Sequence, residues 1–413
     1  MEEKGHSIPV PKGPGQGGKT VSAGRLIKYQ RLVLLSCIAA TLVTGGLLYT
    51  FGIFFKPLAA EFGWGRGQLS LVSTAFLLAY APGAVVLGRI ADRYEPRGVM
   101  GLAAICVGLG LFLCSRASTW GAFVVYYALA GFGTGATVGI PVATVQRWFV
   151  KSRGLMVGVV LAGVGLGSLA FSLLAAFVVG TWGWRQGLIY LSAITGLLLA
   201  ISAAFMFHSP AKLGLVPSPL PDGGIARGNT ATALRSAKFW AVVSLYVLSL
   251  VPSMFLLVHL VPYATDRGVA ALVAAGALGM LGAFRAPGQL LLGHMADRLG
   301  WLRSLALTNF LAALTLLGLP LVNSPWTLYL FVLVYGFLYG GLFTQLMGTV
   351  GHFFGTASLG ELLGYALGAG VVVGAFSPWL AGFIFDTTGS YLTVMLLGSV
   401  SHVMAGIWSL RLR

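Results

Sequence analysis

Twelve runs of about twenty predominantly apolar residues recur along this chain, the length at which an α-helix crosses the hydrocarbon core of a bilayer. They lie at roughly 32–55, 68–88, 99–115, 118–146, 154–179, 187–207, 239–264, 268–293, 303–322, 326–350, 360–384 and 391–410 and are numbered here spans 1 to 12. In hydrocarbon, backbone amides and carbonyls have to be bonded within their own segment, so the runs predict an all-α membrane protein of twelve transmembrane helices. The composition excludes a water-soluble enzyme: 57% of the 413 residues are hydrophobic and 9% are charged, against about 25% charged in a soluble domain. The 59 glycines suit helices that approach closely in lipid, where dispersion replaces the hydrophobic effect.

Residues 1–31 carry Pro, Gly and Lys without apolar periodicity and are expected to form a disordered cytoplasmic tail. No apolar segment with a cleavage site precedes span 1, so the first span is expected to be retained. The longest polar stretch, 208–238, contains PSPLPDGGIARGNT and reads as a cytoplasmic linker between a six-span half, 32–207, and a second, 239–413. A constant offset of 205 residues relates the halves: Pro82 pairs with Pro287, Gly83 with Gly288, Asp92 with Asp297, Arg93 with Arg298, Gly131 with Gly336 and Phe132 with Phe337. One register held over so long a segment marks an internal repeat.

The formal charge of +16 suggests nucleic acid only if the basic residues form a patch on a polar domain. Instead they fall between the apolar runs. With the tail, linker and C-terminus on one side, that side holds twenty of the 26 Lys and Arg. The other side holds Lys56, Arg66, Arg116, Arg185 and Arg267, and Arg285 alone lies within a span. The positive-inside rule then places both termini in the cytoplasm of a multi-pass protein of the cell membrane. Cys37, Cys106 and Cys114 lie in or beside apolar runs without metal-ligand spacing, so neither a disulfide framework nor a metal site is expected.

GRIADR, from Gly88 to Arg93, and its copy GHMADR, from Gly293 to Arg298, follow spans 2 and 8. They resemble the loop motif of the major facilitator superfamily at the same two places. The resemblance implies the twelve-helix fold of that family, in two six-helix pseudo-symmetric halves. The motif's Gly88 and Gly293 would allow close crossing, and Asp92, Arg93, Asp297 and Arg298 would pair at helix ends to latch one of two conformations. FGIFFKPLAAEFGWGRGQLS, from Phe51, and VHLVPYATDRG, from Val258, are similar to the bacterial monocarboxylate transporter and oxalate/formate antiporter branch of the superfamily.

Arg285, in FRAPGQL of span 8, is the one Lys, Arg, Asp or Glu deep within a span. An Arg at that depth costs roughly 2.5 to 3.5 kcal/mol on insertion scales, keeps its charge, and offers a planar fork that matches a carboxylate. It reads as an anion anchor, against the alternatives of a snorkelling side chain or one bonded to helix carbonyls. In the resembling family an Arg of this span binds the substrate carboxylate, and Arg285 matches it. The animal carriers of that family have an Asp one turn earlier and a Lys in mid span 1; here those places hold Leu281 and, nearby, Tyr49. The oxalate branch adds a Lys in span 11, where this chain has no cation from Leu362 to Phe385. One fixed positive charge favours a monoanion, because the second carboxylate of a dianion would be desolvated and unpaired.

Tyr335 and Tyr339 lie one helical turn apart in span 10 and, by resemblance, are expected to wall the cavity together. Tyr49 in span 1 and Tyr126 or Tyr127 in span 4 would close the other half, although packing is an equal reading for any single Tyr. Proton coupling needs a titrating group: His259 in span 7, Asp266 just past it and Glu361 at the start of span 11 are the candidates, with His402 of span 12 a weaker one. A lone His in a span is more often a packed, hydrogen-bonded residue. Glycines 131, 133, 135 and 139, then 163, 165 and 167, then 364, 368, 370 and 374 are expected to let helices slide at close contact. No phosphate-binding loop, zinc motif or catalytic triad is present, so neither enzymatic chemistry nor a cofactor is expected. These features together predict a monomeric, proton-linked symporter of lactate- or pyruvate-sized monocarboxylates working by alternating access. An exchanger of the oxalate/formate type is the alternative, and a carrier fold serving as a receptor is a more distant one.

Overall fold

The computed structural model describes residues 23–149, 153–207, 209–210, 230–354 and 359–412. The chain begins with α1 (Ala23–Phe62), α2 (Arg66–Arg93), α3 (Pro96–Arg116) and α4, in two pieces, Trp120–Thr134 and Ala136–Trp148. The next stretch, Arg153–Phe205, has 53 residues. As one helix it would be ~80 Å long, more than twice the ~30 Å of a hydrocarbon core. Gly183, with φ 82° and ψ 167°, breaks it into α5 (153–182) and α6 (184–205); this backbone region is open to Gly and strained for other residues.

Beyond the linker come α7 (Ala237–Asp266), α8 (Ala271–Ala283 and Arg285–Leu299), α9 (Trp301–Leu317), α10 (Pro325–Phe354), α11 (Leu359–Gly374 and Ser377–Thr388) and α12 (Leu392–Arg411). Eleven continuous stretches among the described residues are long and apolar enough to cross a bilayer, and the break at Gly183 makes the passes twelve. No strand occurs among the described residues. With twelve passes, both ends of the described chain lie at one end of the bundle, called proximal below; the α1–α2 and α11–α12 turns lie at the distal end.

Two of the breaks stand next to a proline: Pro287 has no N–H to offer the Ala283 carbonyl where α8 is interrupted at Phe284, and Pro378 has none for the Gly374 carbonyl where α11 breaks. Two of the segments read as non-helical are in part helical. The helix of α1 starts at Ala23, inside the expected disordered tail, because residues 23–31 find partners: Tyr29 packs edge-on against Phe207, and Gln30 Nε2 donates to the Trp148 carbonyl at 3.2 Å. In the expected linker, Thr230–Arg235 form a short helix, and the Ser236 side chain accepts from Phe239 N to cap α7. Residues 1–22, 208 and 211–229 lie outside the described residues.

The repeat reappears as a repeated helix crossing. In the first half a Cβ on Gly83 would fall 2.2 Å from the Phe132 carbonyl oxygen, and one on Gly131 would fall 2.3 Å from that of Phe76. In the second half the same register gives Gly288 at 1.9 Å from the Phe337 oxygen and Gly336 at 2.6 Å from the Leu281 oxygen. Backbone cannot yield to such an approach, so α2 crosses α4 as α8 crosses α10, with glycine at each contact point. Large apolar side chains such as Ile105, Val125, Leu314, Leu330 and Leu397 are more than half exposed and form the lipid-facing perimeter. Exposed Trp182 and Trp326 sit at the distal end and Trp240 and Trp408 at the proximal end, as the two interfacial belts require.

Candidate functional site

Arg285 begins the second piece of α8, and its surroundings come from both halves. Gly340 of α10 lets that helix touch the Arg285 backbone: a Cβ there would sit 2.1 Å from the Arg285 carbonyl oxygen. One turn of α10 places the Tyr339 ring beneath the guanidinium, with Cζ 4.4 Å from its centroid and 5.5 Å from that of Phe343. From α1, buried Tyr49 accepts a hydrogen bond from Nη1 at 3.1 Å. Gly282 makes room for that ring, since its Cβ would lie 3.1 Å from Tyr49 Cε1. Nε is buried without an acceptor among the described residues. A permanently charged fork, one edge held by a phenol and stacked on an aromatic face, with donors left over, is suited to an oxyanion.

The other predicted tyrosines lie elsewhere. Although one turn from Tyr339, Tyr335 turns its hydroxyl into the second half, 3.0 Å from Ser253 Oγ and 3.0 Å from His402 Nε2. His402 Nδ1 continues to Asn309 Oδ1 at 2.9 Å, so α7, α10, α12 and α9 share a buried polar chain that satisfies both Tyr335 and His402 within one half. The two hydroxyls of the α10 pair, expected to wall one cavity, thus have different surroundings here, because a buried phenol takes the partners that satisfy it. Tyr127 is packed among Phe51, Phe76 and Phe123, with ring centroids 4.9 to 6.3 Å apart. Tyr126 is half-buried on the turn of α4 whose carbonyl abuts Gly110 of α3. Neither touches Arg285 among the described contacts.

A second polar group spans the halves at the distal end. Asp386 of α11 accepts from the backbone amides of Arg66 at 2.9 Å and Gly67 at 2.7 Å, capping α2 from the opposite half. The Arg66 guanidinium lies 3.6 Å over the Phe385 ring, donates to the Tyr391 hydroxyl at 2.7 Å and pairs with Asp266 at 2.6 Å. Asp266 also holds Lys56 at 2.7 Å. Deeper in the seam, His259 meets Ser70, Pro378 and Tyr391, and Thr74 donates to the Ala375 carbonyl at 2.6 Å, at the break in α11. Two of the proton-coupling candidates, His259 and Asp266, are therefore parts of one distal latch. The side chain of the third, Glu361, lies outside the described residues.

The proximal end is different. Arg93, Asp297 and Arg298 are exposed and take part in no ion pair among the described residues; the Asp92 side chain lies outside them. Gly88 faces open space and Gly293 meets a Thr344 methyl at 3.1 Å. Among the described residues, then, the ion pairs that span the halves lie at the distal end. The glycines expected to let helices slide differ in what they face. Gly131, Gly133 and Gly135 of α4 and Gly163 and Gly167 of α5 are tightly covered, while Gly139 of α4 and Gly364 and Gly368 in the proximal piece of α11 face nothing within 4 Å. Lys56, Arg66, Asp386 and Tyr391 were not singled out from the sequence. Their trace in it is the concentration, at the ends of otherwise uncharged runs, of the few charges on the distal side.

A profile of the Major Facilitator Superfamily matches residues 37–378. The chain is 27% identical over 384 residues to monocarboxylate transporter 13 of Bos taurus, covering 92% of this chain and 86% of that one. It is 25% identical to the oxalate:formate antiporter of Oxalobacter formigenes, covering 90% and 88%. Among solved structures, a D-xylose-proton symporter superposes with a TM-score of 0.76 at 15% identity, over 92% of this chain and 97% of that one, a likeness of fold.

Proposed function

The chain belongs to the major facilitator superfamily of membrane transporters, and from that premise we propose that it carries small monocarboxylates, of lactate or pyruvate size, together with protons by alternating access. The observation that carries the reading is the Arg285 fork: Nη1 held by Tyr49, Tyr339 beneath, and Nε buried without an acceptor among the described residues. A carboxylate completes that hydrogen-bonding set and cancels the buried charge. The relatives named as monocarboxylate transporters support the substrate class. No Lys or Arg stands in 359–388 of α11 to match a second carboxylate, which supports a monoanion.

In this reading the proximal end, with the tail, the linker and most basic residues, faces the cytoplasm, so the distal latch ties the outer end of the seam and the state described is read as inward-facing. Alternation then consists of releasing the distal latch and closing the proximal one. A second reading is anion exchange, favoured by the likeness to an oxalate:formate antiporter and by the same unpaired Arg285, whose charge resists crossing empty. Proteoliposomes separate the two. Uptake of labelled lactate or pyruvate driven by an imposed proton gradient, into vesicles free of internal anion, is expected for symport; uptake only into anion-loaded vesicles supports exchange. Arg285→Ala is expected to abolish both while leaving folded protein in detergent, and unaltered transport by it would overturn the anchor.

A further inference from the structure

The distal latch encloses an imidazole whose hydrogen-bond directions are dictated by its neighbours. Nε2 of His259 lies 2.8 Å from the Pro378 carbonyl oxygen and 3.0 Å from Ser70 Oγ. The carbonyl can only accept, and the Ser70 hydroxyl already donates to the Arg66 carbonyl at 2.7 Å. Both neighbours therefore present lone pairs, and Nε2 carries the ring's hydrogen. Nδ1 lies 2.7 Å from the Tyr391 hydroxyl. That oxygen accepts from Arg66 Nη1 at 2.7 Å, which leaves the phenolic hydrogen aimed at Nδ1. The closed latch fits the neutral ring. A second proton, on Nδ1, would set two hydrogens face to face, take from the Tyr391 hydroxyl its acceptor among the described contacts, and add a cation beside Arg66.

The groups around the ring do not offset that conflict. From α1 come Phe55, with its ring centroid 5.2 Å away, and Lys56; from α2 come Arg66 and Ser70. Tyr263 and Asp266 stand on α7 itself, Pro378 and Asp386 on α11, and Tyr391 at the start of α12. The two carboxylates are engaged, Asp266 by Lys56 and Arg66 and Asp386 by the first amides of α2, so neither pairs with an imidazolium. His402, the other histidine buried in a span, has both nitrogens bonded inside one half and meets no residue of the other half among the described contacts.

We infer that His259 is a proton-binding site of the distal gate: the gate closes on the neutral imidazole, and a proton reaching the ring from the distal side favours the open form. The inference rests on the transport reading only in taking the seam to open during a cycle, and it uses nothing about the solute. Opening admits water to a ring whose free form titrates near pH 6.5. Because the open form accommodates the extra proton and the closed form does not, acid shifts the population toward opening.

The test reads conformation without solute. Spin labels on Ser118→Cys and Asn323→Cys, both exposed at the distal end of opposite halves, report the gate in full-length protein in nanodiscs; the native cysteines are buried. Between about pH 8 and about pH 5 a longer-distance population is expected to grow at least about tenfold relative to the short one, with its midpoint in the imidazole range. His259→Gln, which keeps a donor for Pro378 and cannot gain a proton, is expected to remove that growth. Arg285→Ala is expected to keep it, so failure of the carboxylate reading leaves this result standing. Tyr391→Phe, a second variant that removes the opposing hydrogen, is expected to weaken the pH response. A parent without pH response, or an undiminished response in either His259→Gln or Tyr391→Phe, overturns the inference.

Discussion

At the scale of single residues, two tyrosines one turn apart on α10 are expected to respond differently to substitution. Tyr339 lies under Arg285, and Tyr339→Leu removes a cation–π contact of about 0.5–2 kcal/mol, so the transport KM is expected to rise from a few-fold to some thirtyfold. Tyr335→Phe leaves Ser253 and His402 without their shared partner. Such bonds inside a membrane bundle contribute about 0.6–2 kcal/mol. The expected outcome is a lower thermal midpoint in detergent with KM unchanged; a raised KM would place Tyr335 at the site after all. At the positions 205 residues earlier, Ser253, Asn309, Tyr335 and His402 are matched by Leu48, Ala104, Ala130 and Leu197, so the polar chain belongs to one half. Arg285 itself is matched by Tyr80, which is why the site is charged from one side only.

At the scale of elements, glycines make opposite predictions according to what they face. Gly340→Ala drives a methyl toward the Arg285 carbonyl and has to push α10 off α8. Overpacking of that kind costs about 1–3 kcal/mol, and a loss of both stability and uptake is expected. Gly368 faces open space in the proximal piece of α11, so Gly368→Leu is expected to leave the thermal midpoint within a few degrees while slowing transport, because the added side chain meets the opposite half when the proximal end closes. Unimpaired transport by Gly368→Leu would show that this piece of α11 does not close on its partner. The breaks in α8 and α11 follow the same logic. Pro287 and Pro378 each withdraw an amide, and the loosened backbone becomes useful: Arg285 starts the second piece of α8, and Ala375 and Pro378 offer carbonyls to Thr74 and His259 across the seam.

At the scale of the whole molecule, the state described is decided by which end of the seam is tied. The distal ion pairs are partly exposed, with side-chain exposures of 46% and 35% for Lys56 and Asp266, so each contributes modestly, about 0–1 kcal/mol. The latch acts as a network with the capped α2 terminus. Weakening it by Asp386→Asn together with Asp266→Asn is expected to shift the open-to-closed ratio by roughly tenfold, the effect of about 1.4 kcal/mol. Labelling of Ser73→Cys, at a buried position below the latch, by a membrane-impermeant maleimide on the distal side measures that shift; an unchanged rate would mean that apolar packing rather than charge holds the gate. High salt is expected to act in the same direction, since exposed pairs are screened.

The sequence by itself determined the class of molecule, the repeat and the solitary buried cation. Each of these follows from a property that accumulates locally along the chain: transfer of about twenty residues into hydrocarbon, the cost of a charge at depth, and a register that survives in glycines. Periodicity could bring Tyr335 and Tyr339 to one face of α10, but which of them meets Arg285 depended on partners contributed by α7, α9 and α12. The Gly88–Arg93 and Gly293–Arg298 motifs were legible, yet the end that is latched was set by Arg66, Asp266 and Asp386, residues up to 320 positions apart. Tertiary structure decided these matters because a bilayer selects helices one at a time, whereas a site or a gate arises only where two halves, each already stable, are brought into one of their alternative contacts.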